Sequence, residues 1–373
     1  MTGRGLWGAR MAMRAAGAAS GPPQPVPPSE YQIHLPKDQY LHAGAPTEWW
    51  WHVGTLKAGD RIFGFEINAA GYPAFTPVAK YAFTQVMLTD VSNVRHYQQT
   101  TPYLPPHVDL STWAESDPTK DWYARLGKPS DQSYVAMDAP RADPTRNMAV
   151  RARLVDGTTQ VDFDLTLSQQ GPPLLVFGTG VGVNHDKSGP PIQVNNYYYS
   201  LTRLDASGTI KIGADSFPVT GTTWMDHEYG YFGSTGDPVT WILQNAQLDN
   251  GWHFMNFVRP GKEGPPPVGT RTPSNVTVQG PDGAMYYFDA DTQQAFMTPT
   301  RTWKSSATGI QYFVEYLVEI LPWQAKLTVK SLIDGQEFLL PTGGGIYEGV
   351  AAASGSFLGQ QVTGTAWNEQ VLG

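Results

Sequence analysis

Gly221-Thr-Thr-Trp-Met-Asp-His-Glu-Tyr-Gly230 sets three titratable side chains, Asp226, His227 and Glu228, among Trp224, Met225 and Tyr229. In an extended chain, successive side chains point to opposite faces. Trp224, Asp226 and Glu228 then share one face, and Met225, His227 and Tyr229 the other. A carboxyl group held beside an indole in an apolar cavity suits acid–base chemistry, because burial disfavours the charged form. The same residues would serve equally in a buried structural network. Asp226 would then cap a turn, His227 satisfy a carbonyl, and Glu228 meet an arginine.

The surrounding sequence also reads as strand. Extended, alternating segments are expected at Glu48–Leu56, Arg61–Ala69, Tyr81–Asp90, Met148–Val155, Thr159–Ser168 and Tyr197–Leu204. The second half continues with Thr222–Tyr229, Val239–Leu248, Gly251–Arg259, Ser274–Val278, Ala284–Phe288, Gly309–Leu321, Ala325–Ser331 and Gly345–Ser354. Turn chemistry separates many of these, as at Lys57–Asp60, Asp156-Gly157 and Asp249-Asn250-Gly251. Long helical periodicity is absent, and proline interrupts most candidates. Thr101–Pro144 is the least regular stretch and reads as loops with one short helix near Trp113–Leu126. The Trp49–Ile67 hairpin resembles Trp241–Val258, which suggests two similar antiparallel units. No 20–50-residue period recurs, so a propeller is disfavoured.

Composition narrows the function. With 373 residues the chain exceeds the size of a single growing core, so two domains are expected. Aromatic residues make up 12% and charged residues 16%, which fits a folded protein with an aromatic interior. The net charge of -8 leaves no basic footprint for nucleic acid. No run of eighteen apolar residues is present, so no stable membrane insertion is expected. Cysteine is absent, which excludes disulfides and thiolate chemistry. Residues 1–30 read as a flexible leader. Arg14 interrupts it and no adequate apolar h-region appears, which favours a cytoplasmic over an exported location.

A second cluster, Glu48-Trp-Trp-Trp-His52, places Glu48, Trp50 and His52 on one face and Trp49 and Trp51 on the other. One face could line a pocket in which an indole stabilises a cation and the carboxyl supplies a proton. It could equally be a core strand with a polar rim. Glu66 and Asn68 fall on the polar side of Arg61–Tyr72 and would converge on a ligand only inside a cavity. No paired-histidine spacing occurs, so no metal is expected. Neither a phosphate-binding loop nor a nucleophile elbow is present. Gly178–Gly182 lacks the helix and ribose-binding acid of a dinucleotide site.

Glu48-Trp-Trp-Trp-His-Val-Gly54 resembles the E-W-W-Y-x-x-G opening of the AttH-like family, which includes carotenoid hydratases. Asn196–Ser200 with Arg203-Leu204, then Pro218–Glu228, are similar to that family's Y-Y-S-x-x-R-L and V-x-G-x-x-W-x-D-x-E/Q blocks. Gln336–Phe338, Tyr347–Gly349 and Gly364–Glu369 match its C-terminal landmarks in order. Tyr229, Trp51 and Trp367 depart from the residues usual at those places.

The resemblance implies an all-β protein of two packed lipocalin-like antiparallel barrels with few short helices, divided as 31–212 and 213–373. It implies a cavity near their junction for an elongated hydrophobic polyene, terpenoid or polyketide, and no cofactor. Relatives hydrate isoprenoid double bonds or guide polyene cyclisation, including Diels–Alder cycloaddition. On this basis Asp226, His227 and Glu48 are the catalytic candidates. Trp50, Glu66, Asn68, Tyr198, Trp224 and Glu228 are the substrate-contact candidates. The alternative is a carrier that binds a lipid or pigment unchanged, which would need the cavity but no acid.

Overall fold

The computed structural model describes Pro25 and residues 32–72, 81–232, 240–261, 264–341 and 343–372. Apart from Pro25, the leader expected over 1–30 lies outside the described residues, as do Tyr31 and Val239.

The first sheet begins with β1 (Thr47–Ala58), β2 (Arg61–Tyr72), β3 (Tyr81–Asp90) and β4 (Arg95–Tyr103). It continues with β5 (Trp122–Leu126), β6 (Tyr134–Ala139), β7 (Met148–Asp156) and β8 (Thr159–Gln169). Two short strands, β9 (Leu174–Leu175) and β10 (Val181–Gly182), precede β11 (Asn196–Ile212) and β12 (Asp215–Gly230). The strand order is β4-β3-β2-β1-β12-β11-β8-β7-β6-β5, with antiparallel pairing throughout.

The second sheet holds β13 (Trp241–Leu248), β14 (His253–Val258), β15 (Thr272–Pro273), β16 (Asn275–Gln279) and β17 (Met285–Phe288). β18 (Ala295–Lys304), β19 (Gln311–Ile320) and β20 (Ala325–Ser331) follow, then β21 (Glu337–Leu339), β22 (Gly345–Phe357) and β23 (Gln360–Val371). Its order, β15-β18-β19-β20-β22-β23-β13-β14-β16-β17, repeats that of the first sheet. β1, β2, β11 and β12 correspond to β13, β14, β22 and β23. The resemblance between the two tryptophan-rich hairpins therefore reflects equivalent places in two copies of one topology.

Each sheet curls into a lipocalin-like barrel around its own apolar interior. Trp50, Phe65, Phe163 and Tyr199 are among the residues filling the first, and Phe254, Val318, Trp323 and Phe357 are among those filling the second. A fully buried side chain of this size contributes about 1.5–3 kcal/mol. A third cluster, including Trp49, Trp51, Trp224, Leu243, Val350 and Trp367, lies between the barrels. There Gly64 of β2 meets β22 so closely that an added Cβ would stand 2.4 Å from Val350 Cβ. The absent side chain is what lets the sheets approach.

Three expectations change. The division between residues 212 and 213 falls in the β11–β12 turn, and β12 pairs with β1 and β11 in the first sheet. The short helix expected near Trp113–Leu126 is absent: Trp122, Ala124 and Leu126 alternate inward as β5. Among the longer strands, β4, β6, β18 and β23 were not anticipated, and β6 falls in the stretch read as loops. Pro299 lies beside a register shift in β18, and a bulge-associated proline weakens a strand pattern. Among the described residues the sole α-helix is Pro191–Val194, α1.

Candidate active site

The pairing register assembles the site. On one face of the first sheet, Trp51, Asp226 and Ser200 lie opposite one another across β1, β12 and β11. Trp49, Glu228 and Tyr198 form the neighbouring row. Directly paired residues share a face, so alternation alone keeps both rows together. That face looks away from the first barrel's interior, toward the second barrel.

Between the barrels is a cavity of about 340 Å³. The first sheet contributes Trp49, Trp51, Tyr198, Asp226 and Glu228, and the second contributes Trp241, Leu243, Phe257 and Glu369. Three carboxyl groups thus meet in an aromatic-walled hollow. Among the described lining residues the one cation is Arg259, which is exposed.

Each acid is held by defined donors. Ser200 Oγ donates to Asp226 Oδ1, as does Trp224 Nε1 at 2.8 Å. Asn196 Nδ2 donates to Glu228 Oε1 at 2.6 Å, and Trp241 Nε1 to Glu369 Oε1 at 2.5 Å. Burial pushes Asp226 up to about 6, against the bonds from Ser200, Trp224 and Tyr198. Burial pushes Glu228 up to about 8; Asn196 and Arg259 oppose this, while Asp226 and Glu369 add to it. Glu369 also rises to about 8, from burial and the nearby Asp226, with Trp241 opposing. Asp226 is therefore the strongest acid of the three, and the two glutamates hold their protons to higher pH.

Behind the cavity, the carboxyl groups of Glu66 of β2 and Glu348 of β22 are neighbours across the barrel junction. Burial raises both well above the ordinary carboxylate range. Trp367 Nε1 donates to Glu348 Oε2 at 2.7 Å, and Asn68 Nδ2 to Glu66 Oε1 at 3.1 Å.

A sequence model described as AttH-like matches residues 25–369, most of the chain. The chain belongs to the AttH-like family. Its fold is shared by a structure described as AttH from Nitrosomonas europaea. That likeness has 22% identity and a TM-score of 0.69, and covers 92% of this chain and 99% of that one. Kievitone hydratase from Nectria haematococca is also similar, at 12% identity and a TM-score of 0.66, covering 94% and 97%. No sequence among the curated proteins matches this chain.

The sequence-predicted residues of this AttH-like chain separate into three groups. Asp226, Glu228 and Tyr198 line the cavity, and Trp224 supports Asp226 from behind. Glu66 and Asn68 belong to the buried network at the junction and are not among the described lining residues. Glu48, Trp50 and His227 do not reach the cavity. They sit on the inward-facing positions of β1 and β12, where Trp50 stacks on His227 with ring centroids 4.6 Å apart. His227 Nε2 lies 2.9 Å from Glu48 Oε1. A wall expected from Glu48 and Trp50 is instead built by Trp49 and Trp51, one residue along.

Glu369 was missed as a site residue. A signal existed: Trp367-Asn-Glu369 on β23 repeats the spacing of Trp224-Met-Asp226 on the equivalent strand β12. Across β22, Glu348 lies opposite Glu369, as Ser200 lies opposite Asp226.

Proposed function

We propose that this chain is a cofactor-independent enzyme that protonates a carbon–carbon double bond of an elongated hydrophobic polyene, terpenoid or polyketide. One observation carries the reading: three carboxyl groups with raised proton affinities converge in an aromatic cavity between the barrels. Glu228 or Glu369, neutral near pH 7, transfers its proton to an alkene carbon. The alkene π electrons form the new C–H bond, leaving a carbocation on the adjacent carbon and a carboxylate on the protein. Trp49, Trp51 and Trp241 offer π faces to that cation, and ionised Asp226 stabilises it through space.

The cation then has two exits. Water adds and gives a proton back to a carboxylate, completing hydration. Alternatively, a second double bond of the same substrate attacks and a proton is lost, completing cyclisation. Both leave the protein's proton count unchanged. Glu228 and Glu369 take the acid part, and Asp226, the strongest acid of the three and so the first to ionise, takes the charge-stabilising and base part.

Reaction of a panel of acyclic polyenes in D₂O tests this directly. Carbon-bound deuterium in the product is expected from wild type and lost in Glu369→Gln or Glu228→Gln, with ligand binding retained as read by tryptophan fluorescence. Product without carbon-bound deuterium would show that the cavity promotes cycloaddition by shape. Binding with no turnover of any polyene would identify a carrier.

A further inference from the structure

On the face of β12 opposite Asp226, inside the first barrel, His227 meets Glu48 of β1 and His42 of the segment leading into β1. Glu48 Oε1 lies 2.9 Å from both His42 Nδ1 and His227 Nε2. The donor atoms of the three residues all lie within 4.8 Å of one another. Two imidazoles and a carboxylate form a nitrogen–oxygen set of the kind that binds zinc.

What surrounds these three residues points the same way. Ligating histidines characteristically present their second ring nitrogen to a carboxylate, carbonyl or hydroxyl, which fixes tautomer and orientation. Here His42 Nε2 faces Asp38 Oδ1 at 3.5 Å, and His227 Nδ1 meets the Tyr199 hydroxyl at 3.0 Å. The backbone N–H of His42 donates to Glu48 Oε2 at 2.8 Å, leaving Oε1 turned toward the two rings. Both rings are also clamped: His42 stacks on Tyr229 at 3.6 Å between centroids, and His227 on Trp50.

We propose that His42 Nδ1, His227 Nε2 and a Glu48 carboxylate oxygen form a zinc site. It would pin the segment before β1 to the back of the strand that carries Asp226 and Glu228. Nitrogen and oxygen bind zinc at about 2.0–2.1 Å in tetrahedral geometry, so donor atoms stand roughly 3.3 Å apart. From 2.9 Å the two contacts to Glu48 Oε1 open by a few tenths of an ångström, and the two ring nitrogens, within 4.8 Å of each other, settle to the same spacing. The His42 side chain retains 17% exposure, which gives an ion a path inward, while Glu48 and His227 are fully enclosed. Sequence spacing could not reveal the set, because Glu48 and His227 are 179 residues apart. The proposal stands independently of the chemistry assigned to the cavity.

The test is equilibrium dialysis of tag-free, chelator-stripped full-length protein against Zn²⁺ alone, with bound metal quantified by mass spectrometry. One zinc per chain is expected at micromolar free metal, with a rise in melting temperature. Co²⁺ in its place should give the intense visible bands of a four-coordinate ion. His42→Asn, on the most accessible ligand, should abolish stoichiometric binding while far-UV circular dichroism stays unchanged. Asp38→Asn should weaken it by about 10–100-fold, as loss of an outer-shell partner does. Stripped wild type that takes up no zinc overturns the proposal, and that measurement does not depend on whether any variant folds. So does zinc uptake that is equal in wild type and a folded His42→Asn variant.

Discussion

Glu228→Gln should stabilise the protein, and the gain should grow with pH. Glu228 is enclosed, accepts one strong hydrogen bond from Asn196, and has its carboxyl raised from the ordinary 4.5 to about 8 by burial. Below pH 4.5 the group is protonated in both the folded and unfolded chains, so it makes no pH-dependent contribution. Between pH 4.5 and 8 the unfolded chain releases the proton and the folded one retains it, so the folded state loses stability as pH rises. At 1.36 kcal/mol per pH unit, that gap sets an upper limit of ~5 kcal/mol. Relaxation and water entering the cavity reduce such penalties, and about 2 kcal/mol is the expected gain at pH 8–9.

Glutamine keeps the volume and an acceptor for Asn196 and carries no charge at any pH. Urea unfolding followed by tryptophan fluorescence at pH 4, 6, 8 and 9 measures the difference. The titrations of Asp226 and Glu369 persist in both proteins and largely cancel in it. A gain near zero at pH 4 that rises through pH 8 supports the reasoning. A difference that is flat with pH, or a variant less stable at pH 9, would refute it.

Three further outcomes follow from the same geometry. Asp226→Asn should lower turnover of a polyene substrate about 10²–10⁴-fold, the usual range for a general acid or base, with ligand affinity measured by fluorescence titration changing only a few-fold. The turnover profile of wild type should be bell-shaped, rising as Asp226 ionises near pH 6 and falling as Glu228 and Glu369 lose their protons near pH 8; an activity still climbing at pH 9 would contradict the assigned roles. Gly64→Ala should cost about 1–3 kcal/mol in thermal unfolding, because its Cβ would stand 2.4 Å from Val350 Cβ where the barrels meet, and Val350→Ala in the same chain should restore part of the loss.

Much of the fold was legible because strand side chains repeat every two residues and turn residues are chemically distinctive. Tyr81–Asp90 and Ala325–Ser331 were bounded as they occur, and the Asp249–Gly251 turn joins the strands it was expected to join. Where local chemistry blurred the alternation, the reading failed: Trp122–Leu126 sits among prolines and aspartates, and β18 carries Pro299 beside its register shift.

The grouping of side chains along one strand needed only local geometry. Asp226 with Glu228, and His227 with Tyr229, follow from the extended backbone of residues 221–230 whatever surrounds it. Which of those faces borders a cavity is a different kind of fact, because it depends on what packs against the sheet from outside. Both faces of β1 and of the Thr223–Gly230 half of β12 are buried, so burial pattern could not tell a barrel interior from a barrel junction. For that reason Glu48 and Trp50, expected on the cavity wall, lie instead inside the first barrel beside His227. Glu369 joins Asp226 only because a second copy of the same topology folds its own acid-bearing strand against the first, a contact set by apolar packing between sheets and invisible to any short stretch of chain.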